Sequence, residues 1–177
     1  VQQNDQGPDS FGPRELFNFF YALFHAPSYR ERFSEWLRVD FPRVFLPRKP
    51  GLFQNLSRLG AQLITAHLPD RRHDLSIHTH NVKESTVVAA AYPKYADKRI
   101  WINKDHAIGP VATATWEFRV GPHQVCRKWL KDRQTRTLDQ KDLACFEQIL
   151  TSVESTLQIS KKIDERIDDF GGWKNAF

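Results

Sequence analysis

An α+β fold is predicted by three features of this sequence. Apolar residues recur every three to four positions over Leu16–Phe24, Leu52–Ile64 and Leu143–Ile163, which is the helical period. Between the second and third of these lie short β-branched or apolar runs, Thr86–Ala91, Arg99–Asn103 and Trp116–Val120, of strand length. Prolines at 27, 42, 47, 50, 69, 93 and 122 fall between these segments and punctuate them. The expected architecture is a set of N-terminal helices, a small β-rich middle, and two C-terminal helices of which one is long. In segments, residues 1–12 read as a flexible tail, 13–69 as a helical part, 70–120 as the β-rich part and 121–177 as a C-terminal helical part, all within one compact module.

Taken in order, the first ten residues are polar. Pro13 stands where a first-turn proline is tolerated, and Leu16, Phe17, Phe19, Phe20, Leu23 and Phe24 follow on more than one helix face, so this helix should be covered on more than one side. His25-Ala26-Pro27 breaks it. A second helix is expected over residues 28–39, with Tyr29, Phe33, Trp36 and Leu37 on one stripe. Residues 41–50, FPRVFLPRKP, are a proline-punctuated connector with at most an edge strand, because each proline turns its predecessor away from helix. A third helix spans residues 51–67 and ends before Pro69. Residues 70–81 are expected to form a polar loop or a weak strand. Strands are expected over 86–91, 99–103 and 116–120, the last because Trp116-Glu117-Phe118-Arg119-Val120 alternates strictly. Gly121-Pro122 then turns the chain from strand into a helix over 123–132. Thr137 followed by Gln140 matches a capping box, and opens a long helix to about residue 167.

The 177 residues carry 26 Lys+Arg and 21 Asp+Glu, a formal net charge of +5. A hydrophobic content of 40% with 27% charged residues excludes a globally disordered chain. No run of about 18 apolar residues is available for a membrane span. Two cysteines are too few for a disulfide scaffold, and Cys126 and Cys145 are expected to pack as small buried hydrophobes. The chain contains no Met, which suggests a module cut from a longer polypeptide. Residues 1–136 hold 21 basic against 13 acidic side chains, whereas residues 137–177 hold 5 against 8. Fifteen of the cations are Arg, the side chain suited to bidentate contacts with phosphate and guanine.

Catalytic signatures are missing. GxxxxGK[ST] and GxGxxG loops are absent, as are GxSxG and HExxH. Pro69-Asp70 with Asp139-Gln140-Lys141 formally matches a metal-dependent nuclease pattern, but acids at a helix start are favoured by the dipole in any protein. His73, His78 and His80 cluster without a further strong ligand, which leaves a solvated loop as their simplest account. Neither a catalytic residue nor a metal or cofactor site is therefore expected in this segment.

Clustered cations are more informative. Arg127, Lys128, Lys131, Arg133 and Arg136 face only Asp132. Arg71-Arg72, Lys94 and Lys98-Arg99 sit on predicted loops or strand ends, and Arg48-Lys49 on the connector. A solvated, solubilising helix face would account for the first group, and nucleic-acid contact would account for all of them.

The run Gly121-Pro122-His123-Gln124-Val125-Cys126-Arg127-Lys128-Trp129-Leu130-Lys131-Asp132-Arg133, followed by Thr137-Leu138 and Asp142, resembles a signature near the end of single-polypeptide type I (type ISP) restriction-modification enzymes. Upstream, Tyr21-Ala22-Leu23-Phe24-His25-Ala26-Pro27-Ser28-Tyr29-Arg30-Glu31-Arg32-Phe33 and Asp40-Phe41-Pro42-Arg43 are similar to a second stretch of that family. Glu154-Ser155-Thr156 and Ile163-Asp164 are similar to its closing motif. The likeness runs from about residue 14 to 167. His123 departs from the family's usual Tyr, and Phe24 from its usual Leu.

The resemblance implies a C-terminal specificity domain, also called a target-recognition domain, downstream of an adenine-specific DNA methyltransferase. It implies that S-adenosylmethionine belongs to the methyltransferase part and that this segment is not itself an enzyme. Its implied partners are double-stranded DNA and the methyltransferase domain of the same polypeptide. The implied setting is a monomer in the bacterial cytoplasm, without a membrane. The shared motifs read as framework, because Val125, Trp129 and Leu130 share a helix face and Tyr21, Leu23, Phe24, Tyr29 and Phe33 form core. Sequence reading then falls to residues 70–119, with Arg71, Arg72, Lys98 and Arg99 as base-reading candidates. Arg43, Arg48, Lys49, Lys94, Arg127, Lys128, Lys131, Arg133 and Arg136 are the phosphate candidates. A docking module that clasps the methyltransferase without reading DNA is the alternative.

Overall fold

Helix α1 (Pro13–His25) begins with a proline at a position that needs no N–H, and the Gly12 amide donates to Glu15 Oε2 at 3.0 Å. The computed structural model describes residues 11–68 and 86–177, and Arg71, Arg72, His73, His78 and His80 lie outside them. The described residues group into two compact units, one made of the chain up to Leu68 together with Gln158–Phe177, the other ending at Leu157. The whole is α+β: helices with small antiparallel sheets.

In the first unit α1 buries Phe19, Ala22 and Leu23 against Leu52, Phe53, Leu56, Leu59 and Leu63 of α3 (Pro50–His67). The two backbones meet at Gly60, where a Cβ would lie far inside van der Waals contact with the Asn18 carbonyl oxygen, so the crossing needs glycine. α2 (Pro27–Arg32) is shorter than the 28–39 stripe predicts, and gives way to a turn and a single 3-10 turn over Trp36–Arg38. The reason lies in packing. Tyr29 is fully buried and Phe33 stacks on Phe45 at 5.0 Å, but Trp36 and Leu37 are only partly covered, at 49% and 36% exposed. With the stripe beyond Phe33 only half covered, little offsets the entropy of continuing the helix.

The long helix α6 (Gln140–Asp169) ends in this unit and adds Ile159, Ile163 and Ile167 to its core. Its Asp164 accepts hydrogen bonds from the Ser28 amide at 3.0 Å and from the Ser28 hydroxyl. Trp173 on α7 (Gly172–Ala176) donates its indole N–H to the same hydroxyl oxygen at 2.9 Å, so the C-terminal helices are tied to the start of α2. Tyr21, His25 and His67 form a polar edge on this core. The Tyr21 hydroxyl and His67 Nδ1 are 2.6 Å apart, and His25 Nδ1 donates to the Tyr21 carbonyl at 2.7 Å. Burial first, and then the positive field of Arg30 and His67, pulls the His25 pKa below the ordinary imidazole value, against the opposing pull of that backbone bond. Burial alone lowers His67.

The second unit holds a three-stranded antiparallel sheet, β1 (Lys94–Ala96), β2 (Arg99–Trp101) and β3 (Ala107–Ile108), in that spatial order. Ile100, Ile102 and Ile108 pack with Val88, Val111, Trp116, Leu130, Phe146 and Leu150. Thr86–Ala91 is not a strand. It makes one bridge, Val87 to Thr137, with Val88 N–H donating to the Arg136 carbonyl at 3.0 Å and Ala89 N–H to that of Ile102 at 2.9 Å. Its β-branched residues serve as a spacer between two different partners, so no continuous ladder forms.

Trp116–Val120 departs from expectation too. Trp116 closes a helical turn, α4 (Thr113–Glu117), and only Arg119–Val120 (β4) is extended, paired with β5 (His123–Gln124). Adjacent Thr115 and Trp116 are both buried, and the Trp116 ring lies parallel to that of Tyr95 at 5.6 Å. Two neighbouring side chains pointing inward are incompatible with strand alternation, and the ring stack overrides the pattern. Gly121, with φ +56°, therefore turns a hairpin rather than a strand into a helix, and α5 (Val125–Lys131) starts two residues later than expected. The α6 cap shifts likewise. Asp139 Oδ1 accepts from the Asp142 amide at 2.8 Å, and Thr137 is spent on the bridge to Val87. Cys126 is buried, donates to the Thr115 carbonyl, and burial pushes its thiol pKa up to about 12, so it stays protonated at neutral pH. Cys145 is exposed, contrary to expectation, because it falls on the outer face of α6.

Candidate nucleic-acid interface

The β1–β2 hairpin is the most cation-rich protrusion built by strand pairing. Its register places Lys94 opposite Trp101, Tyr95 opposite Ile100 and Ala96 opposite Arg99. Side chains alternate across a strand. Tyr95 and Ile100 thus face the core, while Lys94, Ala96 and Arg99 share the outward face. Asp97 and Lys98 form the tip, with φ of 53° and 55°. Left-handed backbone at both central residues is the mark of the type I′ turn, whose twist matches that of the strands.

The hairpin is held from behind. The Lys98 carbonyl accepts from the Val111 amide at 2.7 Å, and the Tyr95 hydroxyl donates to the Val111 carbonyl at 2.7 Å. Gly109, at φ +150°, lies so close that a Cβ there would be 3.0 Å from the Lys98 carbonyl oxygen and 3.3 Å from Arg99 Cα. Lys98 and Arg99 are exposed and make no ion pair with a described residue. Lys94 is exposed with its ammonium 4.9 Å from the Tyr92 ring.

Helix α5 carries the second group of cations. Cys126 and Leu130 are buried, Trp129 leans on Phe146 with ring centres 5.0 Å apart, and Arg127, Lys128 and Lys131 remain outside. The five expected phosphate contacts of this stretch are not equivalent. Lys128 is paired with Asp132 one turn on. Arg133 is three-quarters covered: its guanidinium lies 3.6 Å above the Trp129 ring, Nε is 3.3 Å from Asp142 Oδ1, and Nη1 donates to the Trp129 carbonyl at 3.2 Å. Through Nε it ties the end of α5 to Asp142 on α6. Arg127, Lys131 and Arg136 are exposed.

Arg43, Arg48 and Lys49 lie apart from these, in the first unit. Arg43 stacks on Trp36 at 3.9 Å while its carbonyl accepts from the Tyr29 hydroxyl at 2.9 Å. The Arg48 amide donates to the Ala176 carbonyl at 2.9 Å, and Lys49 lies 6.0 Å from the Phe170 ring. From Phe41 to Leu68 there are four Arg or Lys and no Asp or Glu. Among the described residues no group of three or more His, Cys, Asp or Glu is placed to hold a metal ion. No helix among them is long and apolar enough to cross a membrane.

The model of the Type ISP C-terminal specificity domain matches residues 2–161. The chain belongs to that family. A specificity domain is a non-catalytic module of such enzymes. Two solved structures share the fold of this Type ISP specificity domain. One is a nuclease-deletion mutant of the Type ISP restriction-modification enzyme LlaGI in complex with a DNA substrate mimic, at 18% identity and a TM-score of 0.51, covering 90% of this chain and 14% of that one. The other is the ATP-dependent Type ISP enzyme LlaBIII bound to DNA, at 17% identity and a TM-score of 0.57, covering 95% of this chain and 13% of that one. The specificity domain thus spans about one seventh of the length of those enzymes. No curated protein matches it.

The sequence pattern missed β1, and with it the hairpin that gives Lys94, Lys98 and Arg99 a common support. Asp97 carried the available signal, since Asp is favoured at the first left-handed position of a type I′ turn. It passes unnoticed because Pro93 argues against a strand and Lys98 occupies the place where glycine is expected.

Proposed function

We propose that this specificity domain binds a particular duplex DNA sequence on behalf of an adenine methyltransferase in the same bacterial polypeptide. The observation that carries this reading is the β1–β2 hairpin, a braced ribbon displaying Lys94, Lys98 and Arg99, none of which forms an ion pair with a described residue. A two-stranded ribbon fits the major groove of B-DNA. Phosphate contacts from Arg127 and Lys131 on α5 would fix its register, and base-edge contacts from the hairpin would supply sequence discrimination. The binding of DNA by LlaGI and LlaBIII supports this assignment. S-adenosylmethionine and the methyl-transfer chemistry belong to the preceding domain, and the module acts as a monomer in the cytoplasm.

The test is an equilibrium titration of the 177-residue chain on duplex DNA across a salt series. With about five phosphates neutralised, the log–log slope of affinity against salt should be near −4 to −5. Arg127→Ala and Lys131→Ala should each reduce it by about one, and Lys128→Ala by less, given its pairing with Asp132. A slope near zero would overturn the reading.

Docking onto the methyltransferase is a second role that one observation favours. Val39, Phe41 and Leu46 are 84%, 87% and 64% exposed on the first unit, more apolar surface than an isolated loop requires. The two roles are compatible, because the cations of the hairpin and α5 belong to the other unit.

A further inference from the structure

The hairpin tip is unusual in its residue types rather than in its shape. Type I′ turns concentrate Gly, Asn and Asp at both central positions, because a side chain at positive φ crowds the backbone. Asp97 fits that preference. Lys98, at φ 55°, does not. A long side chain held in this region is uncommon, and such outliers persist where the surroundings over-determine them. Here the surroundings are identifiable. The Val111 amide holds the Lys98 carbonyl, and only a glycine at 109 lets that segment come close enough. The backbone at Lys98 is clamped while its side chain is left exposed at the apex.

Charge sharpens the point. Asp97, which suits the turn, is also exposed beside Lys98, so the tip offers an acceptor as well as a donor. One acceptor next to one donor complements a base-pair edge rather than a backbone. In the major groove, G·C offers two neighbouring acceptors, guanine N7 and O6, and then one donor, cytosine N4. A·T separates its two acceptors, adenine N7 and thymine O4, by the adenine N6 donor, so a single ammonium meets two adjacent acceptors only on guanine. We infer that the Asp97–Lys98 turn reads the edge of a single G·C pair, Lys98 donating to guanine N7 and O6 and Asp97 accepting from the cytosine N4 amine. This rests on the proposed binding of duplex DNA, and it singles out Lys98 as a specificity-determining residue.

The experiment is enrichment of bound duplexes from a random library by the 177-residue chain and by its Lys98→Gly and Asp97→Gly variants, with melting curves for each. The wild type should enrich a motif containing an invariant G·C pair. Lys98→Gly should lose the preference at that one position and bind the wild-type motif about 10- to 100-fold more weakly, with unselected duplex bound nearly as before. Asp97→Gly should relax the same position and no other. Both variants should melt at or above the wild-type temperature, because glycine suits the left-handed backbone; this separates lost reading from lost folding. An unchanged motif in Lys98→Gly would overturn the inference alone, as would an equal loss on selected and unselected DNA, which would make Lys98 a phosphate contact. If the wild type binds DNA but enriches no motif, the proposed sequence recognition fails and this inference fails with it.

Discussion

The two units bury different kinds of core and leave different kinds of surface. The first is built from aromatic rings: Tyr29 lies within 6 Å of Phe24, Phe33 and Trp173, and Phe19 stacks on Phe53 at 5.0 Å. It exposes large apolar side chains, Val39, Phe41 and Leu46 among them, next to the cations Arg43, Arg48 and Lys49. The second is built mainly from Ile, Leu and Val around short strands, and its exposed features are cations on a hairpin and one helix. Strand ends and short connections display side chains in fixed directions without needing them for packing. The lesson is a division of labour: residues that make a frame and residues that could read a ligand are held in separate regions of one short chain.

Replacing Tyr29 by Ala should test the frame most severely. The ring is 1% exposed and its hydroxyl donates to the Arg43 carbonyl, so the loss should cost about 3–5 kcal/mol. If the units are distinct cooperative packings, amide exchange should rise more at Leu56–Leu63 than at Ile100 and Ile102. Equal acceleration would erase the distinction.

Trp129→Ala makes the matching test in the second unit. Trp129 is partly exposed, so the transfer loss is smaller than for a fully buried ring, but the variant also strips the platform beneath Arg133. A destabilisation of about 2–3 kcal/mol in denaturant melts is expected, with DNA affinity of the folded fraction retained. A variant that melts like wild type and fails to bind DNA would make Trp129 a contact residue and contradict its place in the frame.

A gentler probe is pH. His25 and His67 have folded pKa values below the ordinary imidazole value, so the unfolded chain takes up protons first as pH falls. Their contribution to stability is fully present above the unfolded value near 6.5 and is lost as pH drops through the folded values. The first unit should weaken between about pH 7 and 5, read by thermal melts across that range, and His25→Gln should flatten the profile. A stability that rises on acidification would reverse the sign and refute the assignment.

Helices with a covered stripe were legible in the sequence: α1, α3 and α6 lie where their apolar periods place them, because burial of one face sets their limits. The errors share one cause, which is that a neighbour distant in sequence decides the local state. Trp116 is helical because Tyr95 receives its ring, α2 stops because the stripe beyond Phe33 is only half covered, and Asp139 takes the cap because Thr137 pairs with Val87. The candidate site was legible as charge but not as geometry. Lys98 and Arg99 stood out by composition, whereas the hairpin beneath them depends on Gly109 and Val111, which no local pattern connects to Lys98. Arg133 reads as a free cation in the sequence, whereas in the fold it stacks on Trp129.

The central claim is that the hairpin reads sequence while the basic helix only holds the backbone. It is tested most directly by measuring the affinity of Arg99→Ala for a target duplex, taken as the motif that the wild-type chain enriches from a random library, and for a random duplex, side by side at one salt concentration. Arg99 lies on the outward face of the hairpin, paired with Ala96 and exposed. Its loss should cost about 1–3 kcal/mol on the target and little on random DNA. Equal weakening of both would show that Arg99 touches phosphate alone, and would contradict the claim that this hairpin is the reader.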